Sequence, residues 1–355
     1  MTIITKTMIA GNTSNVNEFT VEGFTDSPQL RYPLFITFLS LYLSIILSNL
    51  TIFVSIISDS HLHSPMYIFL CNLSVLDVCY TSTILPKLLI MIFMQHKLIS
   101  FVECVAQLYF FLSCASIEFF LLAVMAYDRY VAICRPLHYS LLMSLMCCIR
   151  LALATWIGGL CNPVAHVVLI ANLSFCFSHD IDHFFCDVSP LLKLSCSDTF
   201  PIEIWTYVPG IIIGGGEFTL TLLSYVFIIH TIINMQSASS RHKTFSTCAS
   251  HLTCVIIFYG TMICLYVRPA VTYSPDKDKY FALLYIVLIP MLNPLIYTLK
   301  NKDFKNVFNK VRSYALYRKA IINVSETRYV LYSAPDQIAY FQFLFLSDIF
   351  EHDIN

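Results

Sequence analysis

Long apolar stretches alternate with short polar ones along this 355-residue chain. Seven of them run roughly 33–57, 65–90, 104–127, 149–171, 204–234, 244–267 and 280–299. Each reaches the length of about 20 apolar residues that carries a helix across a bilayer. Their basic residues are Lys87 and Arg150, each near a segment end, and none holds more than one acid. In lipid every backbone group must be bonded within its own segment, so the stretches are read as helices. The pattern predicts an all-α fold, a seven-transmembrane helix bundle.

Charge sets the orientation. Arg129, Arg135 and Arg150 follow the third stretch, and Arg241 and Lys243 lie between the fifth and sixth. Lys300, Lys302, Lys305, Lys310 and Arg312 follow the seventh. The opposite loops carry Glu18, Glu22, Asp26, Asp180, Asp182, Asp187, Asp198, Asp276 and Asp278. Basic loops stay in the cytosol, so the N-terminus is expected outside. Three parts follow: an extracellular segment 1–32, a membrane core 33–312, and a cytoplasmic extension 313–355 of unassigned role. No long apolar run precedes Pro33, so the first span itself is expected to act as the targeting signal.

Composition agrees with the pattern. The chain is 57% hydrophobic and only 12% charged, where a soluble domain carries roughly 25%. Net charge is −1, which gives nucleic acid no basic patch to bind. Of 14 cysteines most sit in apolar stretches and behave as small hydrophobes. Cys104, Cys176, Cys186 and Cys196 stand apart, on the outer side, where disulfides persist. Four cysteines allow three pairings, and spacing does not choose among them. Asn12-Thr13-Ser14 is an outward sequon and a glycosylation candidate.

Asp128 and Arg129 close the third stretch. An ion pair there can hold one conformation and break in another; the bland alternative is a terminal salt bridge that anchors the helix. Asp77 and Glu118 are acids deep in the membrane, where such residues usually face the bundle interior. They fit a shared proton or sodium site together with Asn49, or two protonated acids bonded to Asn49, Asn293 or serine neighbours. His183, Cys186 and Asp187 in "HFFCD" have metal-ligand chemistry, but a disulfide cysteine is not a thiolate ligand. His166 and His251 read as packing or hydrogen-bonding residues. No phosphate loop, zinc motif or other catalytic constellation is present, so neither an enzyme nor a cofactor is expected.

"MAYDRYVAICRPLHY" (125–139) resembles the signature of mammalian odorant receptors, within the rhodopsin-like G-protein-coupled receptors. "LHSPMYIFLCNLSVLDVCYTSTILPK" (62–87), "HFFCDVSPLLKLSCSDT" (183–199), "KTFSTCASHLTCVIIFYG" (243–260) and "PMLNPLIYTLKNKDFK" (290–305) resemble further motifs of that family, in the same order. The resemblance covers roughly residues 15–312. It implies that Arg129 faces a G protein, that Asp128 restrains it at rest, and that Tyr130 and Asn293 belong to the same switch. Tyr225 and Tyr297 are the implied partners of Arg129 when the cytosolic side opens. It implies disulfides Cys104–Cys186 and Cys176–Cys196, and a short amphipathic eighth helix.

The inner face of the third helix should present Leu108, Leu112, Ala115 and Ser116 at one-turn spacing. By resemblance the facing positions are Pro209 and Ile213 on the fifth helix, Tyr259, Met262, Ile263 and Tyr266 on the sixth, and Ile286 on the seventh. The third helix has no acid in its outer half, so the amine anchor of aminergic receptors is missing there. A small, neutral, mostly apolar volatile molecule fits best. The implied function is an odorant receptor of the plasma membrane that acts through a stimulatory olfactory G protein and cyclic AMP. The alternatives are a non-signalling or degenerate receptor and a membrane transporter.

Several positions depart from the family pattern. Ser48 and Glu103 stand where glycine is usual, Ile286 where threonine is, and Glu217 where proline is frequent. Glu217 follows Gly214–Gly216 inside an apolar stretch, a costly placement for an acid. Residues 313–355 resemble no tail of the family.

Overall fold

The computed structural model describes residues 17–24, 27–176, 179–266 and 275–299. The first long helix, α1, runs Pro28–Ser58. It begins ahead of Pro33, because Pro28 takes the first-turn position where a missing N–H costs nothing. Helix α2 follows at Pro65–Met94 and α3 at Phe101–Cys134. Glu103 is the N3 partner of a capping box: Ser100 and Glu103 each accept the other's backbone N–H. A short turn of helix, α4 (Tyr139–Leu142), leads to α5 (Leu145–Cys161) and α6 (Val164–Ala171), which together make the fourth crossing. Helix α7 (Val188–Leu194) lies in the loop that follows.

The fifth crossing consists of α8 (Phe200–Pro209), a π-helical turn at Gly210–Gly214, and α9 (Gly215–Ile233). The sixth is α10 (Ala238–Tyr266), bent by 41° between Ala238–Ser246 and His251–Ile263. The seventh joins α11 (Pro275–Leu283), a π turn at Leu284–Leu288, and α12 (Ile289–Leu299). Five described helices are long and apolar enough to cross a membrane as they stand, and the bent α10 is a sixth. The seventh crossing is divided into pieces of 9, 5 and 11 residues, and its first piece carries Asp276, Lys277, Asp278 and Lys279. The molecule is an all-α seven-transmembrane bundle. The eighth helix and the extension 313–355 lie outside the described residues.

Several hydroxyls inside the spans are satisfied locally. Thr37, Ser40, Ser44 and Thr51 each donate to the carbonyl four residues back, at 2.7–2.8 Å. One end of the bundle carries a small sheet, order β2-β1-β3, made of β1 (Glu18–Val21), β2 (Leu98–Ser100) and β3 (Asp180–Ile181). β1 pairs antiparallel with β2 and parallel with β3. The segment before the first crossing is thus stitched to the loops after the second and fourth. Disulfides Cys104–Cys186 (Cα separation 5.5 Å) and Cys176–Cys196 (5.8 Å) lie at the same end.

Candidate functional site

At the sheet end, the loop 182–187 caps the bundle. Cys186 is tied to the start of α3 by its disulfide and donates its N–H to Gln107 Oε1 at 3.0 Å. Gln107 in turn donates to the Thr83 carbonyl on α2. Lys279 at the head of the seventh crossing pairs with Asp182 at 2.6 Å. These ties press His183, Phe184 and Phe185 inward, each only 1% exposed. Burial, then the Lys279 charge, holds the His183 imidazole down at about 3, against a weaker opposing pull from Asp182. Cys186 has no thiolate to offer a metal.

Beneath this cap lies an aromatic interior. Phe111 on α3 packs on Phe185 at 4.8 Å and on Tyr80 at 5.4 Å, and Tyr285 meets Tyr80 at 5.0 Å and Phe258 at 5.6 Å. Of the expected lining, Leu108, Ala115, Tyr259 and Ile286 are buried here, and Leu112 and Met262 half-buried. Three residues do not join them. Ile213, expected inside by resemblance, is 37% exposed, because the π turn at Gly210–Gly214 shifts the helical phase there. Ile263 is exposed because the buried stripe of α10 runs through His251, Val255 and Phe258 and leaves it one position off. The Ser116 hydroxyl is already engaged, donating to the Leu112 carbonyl and accepting from Asn162 of the fourth crossing. Side chains of Pro209, Tyr266 and Tyr297, together with Asn12, fall outside the described ones. Phe111, Phe185 and Tyr285 went unrecognised in the sequence, although the 104, 108, 111, 115, 118 spacing on α3 marks Phe111 as inward.

Midway through the bundle the polar residues meet. Asn293 Nδ2 lies 3.2 Å from both oxygens of Asp77, and Tyr285 donates to Glu118 at 3.3 Å. The two acids are close enough for their charges to interact. Asn49 donates to the Pro290 carbonyl at 3.1 Å. Its partner has a physical reason: Pro294, four residues on, lacks the N–H that would bond that carbonyl.

At the opposite end Asp128 is fully buried. Arg129 donates to its Oδ2 through Nε at 2.9 Å and through a second nitrogen, and Tyr139 of α4 donates to Oδ1 at 2.9 Å. The pair sits within α3, which continues to Cys134. Tyr225 is engaged elsewhere, 2.5 Å from His251 Nδ1 on α10. Tyr130 packs on Phe227, so α3, α9 and α10 meet in a small cluster around Ala126, Tyr225, Ile228 and Cys248.

A capped apolar interior, a polar midsection and a buried ion pair, joined by one helix, lie within a multi-pass membrane protein. A family model described as olfactory receptor matches residues 38–314. Olfactory receptor 5AR1 of mouse is 48% identical over 300 residues, 84% of this chain and 97% of the relative. Human olfactory receptor 5AR1 is 47% identical over the same length, with the same coverage. Human olfactory receptor 5B21 is 47% identical over 302 residues, again 84% of this chain and 97% of the relative. The chain belongs to the olfactory receptor family, a family of receptors rather than enzymes.

Proposed function

We propose that this chain is an odorant receptor of the plasma membrane, activated by small, mostly apolar volatile molecules in the outer half of the bundle. The observation that supports this most directly is the continuity of α3. Its outer half presents Leu108, Phe111 and Ala115 to the capped interior, and its inner end holds the Asp128–Arg129–Tyr139 lock. A ligand that binds the active arrangement better than the resting one shifts the population between them. Arg129 then leaves Asp128, and Tyr225 and Tyr297 receive it, with Tyr130 and Asn293 as further parts of the switch. Asp77, Glu118 and Asn49 hold a proton or sodium ion that biases the resting state, since two buried acids this close do not both ionise unaided. Asn12 carries a glycan. The output is a stimulatory G protein and a rise in cyclic AMP.

Cells bearing surface-stained receptor should give a dose-dependent cyclic AMP response to some member of a small-odorant panel, and Arg129→Ala should abolish it. Equal responses from the two proteins would refute the coupling mechanism.

A further inference from the structure

Between α9 and α10 lie three buried polar groups that find no partner among the described residues. Glu217 is 8% exposed, and neither carboxyl oxygen has a hydrogen-bond partner. Thr221, one turn on along the same helix face, is 1% exposed with its hydroxyl likewise unpaired. Tyr259 of α10 is 4% exposed. Its hydroxyl faces Thr221 and lies within reach of the Glu217 charge, yet makes no hydrogen bond of normal geometry. Buried polar groups are nearly always paired, so three that converge without partners point to something that arrives from outside the chain. Among the described residues no basic side chain acts on Glu217.

The walls are aromatic. The Phe218 ring lies 5.0 Å from that of Tyr259, and Phe119 and Phe258 each lie 5.4 Å from it. Ring faces attract cations, most strongly where water is excluded.

We propose that Glu217, Thr221 and Tyr259 anchor the ligand, and that the anchor takes the ammonium group of a small primary amine with an apolar body. An ammonium has three N–H donors and no acceptor, and the two carboxylate oxygens with the two hydroxyl oxygens supply acceptors for all three. Hydrogen bonds between charged groups are the stronger kind. An alcohol brings one donor and leaves acceptors unmet. The anchor rests on the reading of the chain as a small-molecule receptor. It places the acid on the fifth crossing, where the third has none in its outer half.

The test compares hexylamine, cyclohexylamine and 2-phenylethylamine with the matching alcohols, on full-length receptor and on Glu217→Gln, which keeps the shape and removes the charge. Two readouts are taken: cyclic AMP in surface-stained cells, and the shift in melting temperature of the purified receptor. At least one amine should act at concentrations roughly ten- to hundredfold below its alcohol on the native chain, and Glu217→Gln should erase that preference. Tyr259→Phe should weaken it less, since the ring remains. An amine that stabilises the receptor without signalling supports the anchor and overturns the cyclic AMP function. Amines no better than alcohols, or a preference that survives Glu217→Gln, overturns the anchor, and a neutral odorant acting equally on both proteins leaves the receptor reading standing. No response or stabilisation by any ligand overturns both.

Discussion

At Gly159 the fourth crossing lies close against the third. A side-chain carbon there would stand 2.3 Å from Ile117 Cγ1 and 2.7 and 2.9 Å from the backbone N and Cα of Ile117. A rotamer change can move the first atom but not the other two. To reach ordinary contact, α3 and α5 must separate by roughly 0.5–1 Å, which forfeits a quarter to a half of each contact well along the seam. The two hydrogen bonds that flank the site, Tyr109 to the Leu160 carbonyl at 3.0 Å and Asn162 to Ser116 at 2.9 Å, stretch past useful length. Overpacking costs about 1–3 kcal/mol and each weakened bond about 0.5–1.5 kcal/mol. Gly159→Ala should therefore lose about 2–6 kcal/mol, which at roughly 2–4 °C per kcal/mol lowers the melting temperature by roughly 4–24 °C. Gly158→Ala is the control, because its carbon would meet only the Phe120 ring at 3.3 Å, and that ring can give. The assay is the temperature at which half the detergent-solubilised monomer is lost from size-exclusion chromatography. A Gly159→Ala protein that melts within about 1 °C of the native one, or a Gly158→Ala protein that falls as far, would refute the close-approach argument.

Asn49→Ala should orphan the Pro290 carbonyl and cost about 1–3 kcal/mol, read as a lower melting temperature, while Ser48→Gly should change it by less than about 1 kcal/mol. Tyr139→Phe removes one of the donors to Asp128 and should raise basal cyclic AMP without ligand; unchanged basal signal would mean that Tyr139 does not hold the lock. Gly215→Ala, with open space around it, should raise stability by up to about 1 kcal/mol through helix propensity. His183 stays neutral in the folded cap down to about 3, whereas free histidine protonates near 6.5. The unfolded chain thus binds more protons between these values, and stability is complete above pH 6.5. It falls as the pH drops towards 3, by up to about 1.4 kcal/mol per pH unit, and His183→Gln should flatten that slope in thermal melts.

The hydrophobic pattern was enough to read seven crossings, because lipid demands an unbroken apolar length and leaves charge to the ends. It placed Asp77, Glu118 and Asp128 correctly inside or at the edge of the bundle for the same reason. Motif resemblance carried the family, which the comparisons show. Helix phase was harder to read. Resemblance puts Ile213 on the inner face of the fifth helix, and with the π turn at Gly210–Gly214 it is 37% exposed instead. Ser116 reads as a pocket hydroxyl until Asn162 of another helix is seen to occupy it.

What the sequence determined by itself is local: span length, orientation from charge, and the residues whose chemistry is expensive in lipid. Tertiary structure alone decided the pairings between distant segments. Asn49 finds the Pro290 carbonyl, Tyr139 finds Asp128, and Lys279 finds Asp182 across the cap. These partners lie on different helices and loops, and a one-dimensional pattern records which face a residue occupies but not which face it meets. Glu217 shows both limits: its sequence position marks it as costly, and only the packing of α9 on α10 shows Thr221 and Tyr259 waiting beside it.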